Sequence, residues 1–548
     1  MKNIDGYPDY MMESIKLVEK NREKNMATTI KPMSMEQRDA ILRQYHPDYM
    51  TDTKRPVKVG VDKGQMMYNG IVDLLEASSV LNSRDVDLNT IDYDVDILII
   101  GGGGAGTVAA LFAYESGVPK EKILIVTKLR HGDANSMMAQ GGIQAADRPE
   151  DSPVLHYLDI YGGGRFTNKP ELARVLALDA PKIINWHEEL GVMYDRQDDG
   201  EFQELSGGGT CRNRMHSAKD YTGMELLRNI RDTARNLQIP VLEFCPIIEL
   251  LTDEKSHVTG GVAFNLETFE YYVIRAKATI LTTGGSGRLH LSNYPTTNHY
   301  GATGDGLVMA YHVGANLLDL DTIQIHPTGD AYPEPLVGVL STEKIRGLGA
   351  IPINKNGDPF VFPLEPRDVE SATFIRECKQ GKGIITPTGM PGVWLDSPMI
   401  DIIHGEGTIE KKLAGEVRKF KRFGIDMTKH PILVYPTLHY QNGGVEINER
   451  TETRISGLFA AGEVTGGVHG KNRLMGNSLL DFNVFGRRAG IYAAEYIKKA
   501  KSGKLTLDHI DRYNKMLAET NLKSSKKAPI LLPEYRGEMA ISRALDIF

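Results

Sequence analysis

The run Gly101-Gly102-Gly103-Gly104-Ala105-Gly106 satisfies the spacing G-x-G-x-x-G. Glycines at this spacing suit one piece of chemistry, the wrapping of a backbone around a pyrophosphate. Gly101 permits a tight turn, Gly103 lets the chain approach the phosphates, and Gly106 lets helix and strand pack closely. The flanks fit that use. The apolar run Val95 to Ile100 predicts a strand, Ala105 to Ser116 an alanine-rich helix, and Ile123 to Thr127 a second strand. The helix start then offers free N–H groups and about half a positive charge to an anion, so Gly104 and Ala105 join the expected contacts.

The acidic residue expected about 20 residues beyond such a turn is missing. The second strand ends in Thr127 and Lys128 instead. Thr127 can still bond a ribose hydroxyl, but NAD loses its usual partner. FAD is the better fit, because several further segments offer contacts. Gly304-Asp305-Gly306 puts a carboxylate on a tight turn, Gly462-Glu463 follows an apolar strand over 457–461, and Asn477-Ser478-Leu479 opens an apolar helical run.

Chemistry of this kind needs a large scaffold, and 548 residues supply one. At roughly 150 residues per domain, two to four domains are expected. Hydrophobic residues make up 41% and charged residues 25%, with a net charge of -7 of mixed sign, which argues against a nucleic-acid surface. Cys211, Cys245 and Cys378 are far apart, so neither a disulfide framework nor an iron–sulfur cluster nor another metal site is expected within the chain. Without an apolar run of about 18 residues or a secretory leader, no membrane insertion and a cytoplasmic location are expected.

The expected fold is α/β: a Rossmann-like FAD-binding domain with an inserted α+β capping domain. Residues 91–319 and 437–500 form the two parts of the FAD-binding domain, and 320–436 the cap. Residues 1–90 form an N-terminal helical extension and 501–548 a short C-terminal helical segment. The extension holds nine of the 21 methionines, and Met11 to Lys24 has helical spacing. It reads either as an arm laid over its own protein or as a docking surface for another chain.

Six motifs in order carry a resemblance over about residues 94–490: Ala139-Gln140-Gly141-Gly142-Ile143; Gln324-Ile325-His326-Pro327-Thr328; Thr342-Glu343 with Arg346-Gly347; Pro366-Arg367-Asp368-Val369; His439-Tyr440 with Gly443-Gly444; and 457–490. The chain resembles the flavoprotein subunits of the fumarate reductase and succinate dehydrogenase family, which also contains L-aspartate oxidase. The resemblance implies reduction of fumarate by hydride from flavin N5. It implies substrate binding by His326, Thr342, His439 and Arg473, a proton from Arg367, and a relay through Glu343 and Arg346. It adds Asn135, Ser136, Gln140, Gly141 and Gly142 to the cofactor contacts. It also gives this dicarboxylate enzyme an iron–sulfur or other electron-transfer subunit for a partner. Taken singly, His326 reads as a structural histidine, Glu343 with Arg346 as a surface ion pair, and Arg367-Asp368 as a solvated turn.

Departures from the family pattern sharpen these expectations. The family's covalent flavin histidine falls in register on Asn135, which implies noncovalent FAD and favours fumarate reduction over succinate oxidation; His131 is nearby but out of register. Leu348 replaces a glutamate, Asn442 a methionine and Lys471 an alanine, which puts the identity of the unsaturated acid in doubt. L-aspartate oxidase and a reductase of another unsaturated acid are the rival readings, with a scaffold protein that lacks its own substrate as a further one.

Overall fold

The computed structural model describes residues 6–532, apart from 502, 521 and 523–525. Its main sheet has seven strands, and its centre is the strand Tyr93–Ile100. That strand pairs in parallel with Ile123–Val126 on one side and with Tyr271–Leu281 on the other. Val241–Leu242 extends the parallel part, and Leu458–Ala460 joins the end of Tyr271–Leu281. Ile97 to Ile100 and Ile123 to Val126 are buried, as expected of strands covered on both faces. The helices Gly104–Glu115 and Asn477–Tyr496 pack on one another beside this sheet. Gly486 and Gly490 allow this, since a Cβ at Gly490 would stand 2.3 Å from the Ala109 carbonyl oxygen.

A second sheet of five strands includes Gln324–Asp330, Ile432–Tyr440, Pro391–Leu395 and Pro352–Ile353. The helix Arg367–Lys379 lies against it. Its core gathers Trp394, Phe374, Ile345, Leu433 and Phe420. The strand Ile432–Tyr440 runs past residue 436, stays paired with Gln324–Asp330 as far as Tyr440, and at Leu438 also bonds to the backbone of Pro295 and Thr297.

The N-terminal arm spends its apolar face on its own protein. In the helix Asp9–Ala27, Met11, Ile15 and Val18 recur at four and three residues and are fully buried in the core of the second sheet. Trp394 donates to Ser14 Oγ at 2.9 Å, and Arg22 forks onto Asp396. The helix Met35–Tyr45, started by a Ser34–Gln37 capping box, packs on Arg367–Lys379. The arm is not helical throughout. Lys54–Pro56 and Met66–Tyr68 form a hairpin, and Val57, Tyr68 and Ile71 bury in the core of the first body. Near the C-terminus the helix Asp508–Glu519 is present; residues 533–548 of the expected terminal segment lie outside the described residues. Among the described residues, no helix is long and apolar enough to cross a membrane.

Candidate active site

The glycine turn is strained in the way only glycine allows. Gly101 has φ +119°, and a Cβ there would meet the Thr282 carbonyl oxygen at 2.3 Å. A Cβ on Gly106 would stand 2.0 Å from the Gly101 carbonyl oxygen. Gly103 is the N-cap residue of the helix that follows, and Gly104 N–H donates to Ser136 Oγ at 3.0 Å. The turn opens into a long cavity. Gly101, Gly103, Gly104, Ala105, Thr127, Lys128, Asn135, Ser136, Gln140, Asp305, Glu463, Ser478 and Leu479 all line it.

Four of the expected contacts do not face the cavity. Gly106 packs the helix onto its strand, Gly141 packs against Met475, and Gly142 (φ +138°) closely approaches the His216 carbonyl. Asn477 turns its amide oxygen to His156 at 3.2 Å. These residues shape the wall from behind. His131, the out-of-register histidine, also misses it: burial pushes the ring down to about 4, and its Nε2 lies 3.0 Å from Thr107 Oγ1.

Asn135 sits at a crossing of segments. Its amide donates to Asn298 Oδ1 at 2.9 Å and to Glu463 Oε2 at 3.1 Å, and its oxygen accepts from His299 N–H at 2.8 Å. Burial pushes the Glu463 carboxyl up, and the Gln441 N–H bond works against that. Asp305 meets Lys128 Nζ at 2.6 Å, so that carboxylate is matched by charge before any ligand arrives. His299, which the sequence did not single out, lines the same wall and is pushed down to about 4 by burial and by Lys128.

His439 also lines the cavity, with His326, Arg367 and Arg473 close to it. The rings of His326 and His439 have centroids 4.9 Å apart. Burial and nearby arginines, Arg367 first, push both rings well below the usual histidine range, so both are neutral. His326 Nδ1 accepts from Thr328 N–H at 3.2 Å, which places the ring proton on Nε2. Thr297 Oγ1 lies 2.8 Å from His439 Nδ1.

Arg367 is the first residue of its helix, although the positive end of a helix disfavours a cation. Partners hold it there. Nε donates to Glu343 Oε2 at 2.7 Å and Nη1 to Gln324 Oε1 at 3.0 Å. Burial lowers its proton affinity, against the pull of Glu343. Glu343 also accepts from Gly208 N–H at 2.8 Å and lies 3.4 Å from Arg346 Nη2. Burial would push the Glu343 carboxyl up, but Arg367 and Arg346 overcome that and hold it at about 2. Arg346 in turn contacts Glu370, whose carboxyl burial pushes well above the usual range. Cation and acid therefore alternate along Arg367, Glu343, Arg346 and Glu370.

Arg473 stacks over the Tyr440 ring at 4.5 Å and donates from Nη1 to the Leu474 carbonyl at 3.2 Å. Its Nε and Nη2 are buried with no hydrogen-bond partner among the described residues. Burial, then Arg367, lowers it to about 9. Gln324 ties the two arginine segments together, donating to the Arg473 carbonyl at 2.5 Å while accepting from Arg367. Thr342 is buried at the head of the Glu343 turn, and Glu416 accepts its N–H at 3.3 Å. Gly208, Gln324 and Tyr440 were not expected as site residues. Glu370, three residues past Arg367 on one helix face, carried the only local signal.

The chain matches a family model described as "FAD binding domain" over residues 96–479. It is 39% identical over 414 residues to a component of the fumarate reductase (CoM/CoB) of Methanothermobacter marburgensis, covering 74% of this chain and 73% of that one. It is 38% identical over 454 residues to an uncharacterized FAD-dependent oxidoreductase of Methanocaldococcus jannaschii, covering 81% and 80%. The solved structure of E. coli quinol fumarate reductase FrdA superposes with a TM-score of 0.70 at 32% identity, covering 80% of this chain and 77% of that one.

Proposed function

The chain belongs to the FAD-dependent flavoproteins of the fumarate reductase and succinate dehydrogenase family, and from that premise we propose that it reduces fumarate to succinate as the flavoprotein subunit of a larger electron-transfer assembly. One observation carries the reading. Arg473 keeps two buried, unpartnered N–H positions beside Arg367 and two neutral histidines. An arginine left unpartnered in a buried site is costly, and a carboxylate ligand removes that cost.

The residues divide the work as follows. Arg473 takes one carboxylate of the substrate in a charge-assisted fork, and Thr342 adds a hydroxyl donor. His326 and His439 donate to the other carboxylate and polarise it as the adjacent carbon gains electron density. Being neutral, they hold this position without giving up a proton. The glycine turn, Ser478 and the Asn135 crossing fit the cofactor, and FAD when bound supplies the hydride. Arg367 delivers the proton to the other carbon. Its proton returns from Arg346 by way of Glu343, and Glu370 closes the line. With Glu343 held at about 2, the carboxylate passes a proton without keeping it.

Asn135 has no nucleophilic nitrogen for the family's histidyl linkage, so FAD is held noncovalently and reduction of fumarate is the favoured direction. Cys211, Cys245 and Cys378 are dispersed, so electrons come from an iron–sulfur or other electron-transfer partner. An anaerobic assay with a reduced viologen dye tests the proposal, comparing fumarate with other unsaturated acids. Fumarate turnover that Arg367→Ala abolishes with FAD retained is the expected result. No fumarate turnover, together with aerobic peroxide formation from L-aspartate, would overturn it in favour of an L-aspartate oxidase.

A further inference from the structure

Behind the Gln140–Gly142 wall, three short strands form a small sheet: Ile143–Gln144, Glu204–Leu205 and Met215–His216. His216 lies in register opposite both Ile143 and Glu204. Its side chain is fully buried, and its Nε2 faces Asp147 Oδ2 at 3.0 Å and Glu204 Oε1 at 3.5 Å. We propose that Asp147, Glu204 and His216 form a binding site for one zinc ion, with water as the fourth ligand.

The tautomer supports it. His216 Nδ1 lies 3.2 Å from the Arg214 carbonyl oxygen, so Nδ1 carries the proton and donates there. Nε2 then faces two carboxylates, an arrangement that needs a positive charge among them, either a proton on Nε2 or a bound cation. Histidine ligands commonly donate their other ring N–H to a backbone carbonyl in this way. Arg214 is itself fixed by Asp151 and Asp159, which holds that carbonyl in place.

The spacing agrees. Four ligands on a tetrahedron at ~2.0–2.1 Å from zinc lie ~3.3 Å from one another. The distances of 3.0 and 3.5 Å straddle that value, and ligand atoms of all three residues lie within 4.8 Å of each other. Nε2 makes no aligned hydrogen bond with either oxygen, so both stand off the ring axis, as ligands around a shared ion do. Glu204 keeps one oxygen for the ion, since Arg148 pairs with its Oε2 at 3.0 Å and leaves Oε1 toward His216. An imidazole nitrogen disfavours calcium and magnesium, which prefer oxygen shells, and suits zinc. The site also bears on the fold around Glu343. The strand from Glu204 leads directly into the loop whose Gly208 N–H holds Glu343.

The test uses the full-length, FAD-loaded protein after chelator treatment. Zinc is titrated by calorimetry, and metal content is read by plasma mass spectrometry. The expected result is uptake of one equivalent and a higher melting temperature with zinc. Asp147→Asn and His216→Asn should each weaken binding by at least ~10-fold, while Cys211→Ser, which removes an exposed thiol, should leave it unchanged. Asp147 lies at the surface, so the melting of Asp147→Asn in chelator reports folding independently of metal. Uptake unaffected by both ligand variants, or lost in Cys211→Ser, would overturn the site. So would no uptake by the wild type with a lower melting temperature of Asp147→Asn in chelator, which would make the trio an ion-pair network.

Discussion

Glu343→Gln should separate the structural from the chemical duty of the relay. Glu343 is 2% exposed and is the shared acid of two buried guanidinium groups, 2.7 Å from Arg367 and 3.4 Å from Arg346. The amide keeps the shape and an acceptor for Gly208 but removes the charge. A fall of the carboxyl from 4.5 to about 2, at about 1.36 kcal/mol per decade, is worth ~3 kcal/mol of folding stability. Stranding one partner of a buried pair costs about 3–5 kcal/mol, so the two routes agree. Because the folded value is depressed, this stability is complete above about pH 4.5 and is lost as pH falls toward about 2. The urea midpoint of the FAD-loaded variant should therefore drop at pH 7 by an amount equal to ~3 kcal/mol, and the gap to wild type should shrink only below about pH 4.5. Fumarate turnover should fall by at least ~100-fold, the usual scale of a lost proton-transfer group. A variant with an unchanged midpoint and turnover within a few-fold of wild type would refute both the buried charge balance and the relay.

Further outcomes follow from single contacts. Arg473→Ala should raise KM for fumarate by ~30-fold or more, the scale of a lost buried charge-assisted contact, with the flavin spectrum kept; steady-state kinetics read it. Gly106→Ala sets a methyl 2.0 Å from the Gly101 carbonyl oxygen, and the purified protein should lack the flavin absorbance. Acid precipitation of the wild type should leave all yellow colour in the supernatant, and Asn135→Ala should weaken FAD binding by ~10-fold, since about 1–3 kcal/mol attaches to a buried carboxylate losing its donor. Ile15→Ala should destabilise the cap by about 2–5 kcal/mol, visible as a lower first melting transition.

The parts of the site that could be read from the chain are those built by neighbours. The turn at Gly101 to Gly106 and the strand and helix beside it are local, so spacing alone placed them. Helical spacing over Met11 to Lys24 was likewise legible, but nothing in it says that Trp394 and Ile345 receive Met11, Ile15 and Val18. The end of the site around Arg367 and Arg473 depends on crossings that no local pattern records. Gln324 joins Arg367 to the Arg473 segment, and Gly208 reaches Glu343 from 135 residues away. Asp305 lines the cavity, and the fold also sets it 2.6 Å from Lys128, a pairing that its type and turn do not record. Gly106, Gly141, Gly142 and Asn477 pack the fold and are not among the residues that line the cavity.

Charge balance explains why this site tolerates so many arginines. Arg367 sits against the positive end of its helix, and Arg473 keeps two N–H positions without partners. Each is destabilising by itself. Glu343 pairs with Arg367 at 2.7 Å and reaches Arg346 at 3.4 Å, and Glu370 also lies against Arg346, so each cation of the relay has an acid at contact. Arg473 has no acid of its own at contact distance among the described residues. In the proposed reading the uncompensated cation is therefore not on the proton path but where a substrate carboxylate binds, and a dianionic substrate completes the balance. On this reasoning Arg473 selects the substrate by charge and Arg367 performs the proton transfer, which is why the two guanidinium groups, although linked by Gln324, should fail in different kinetic constants when replaced.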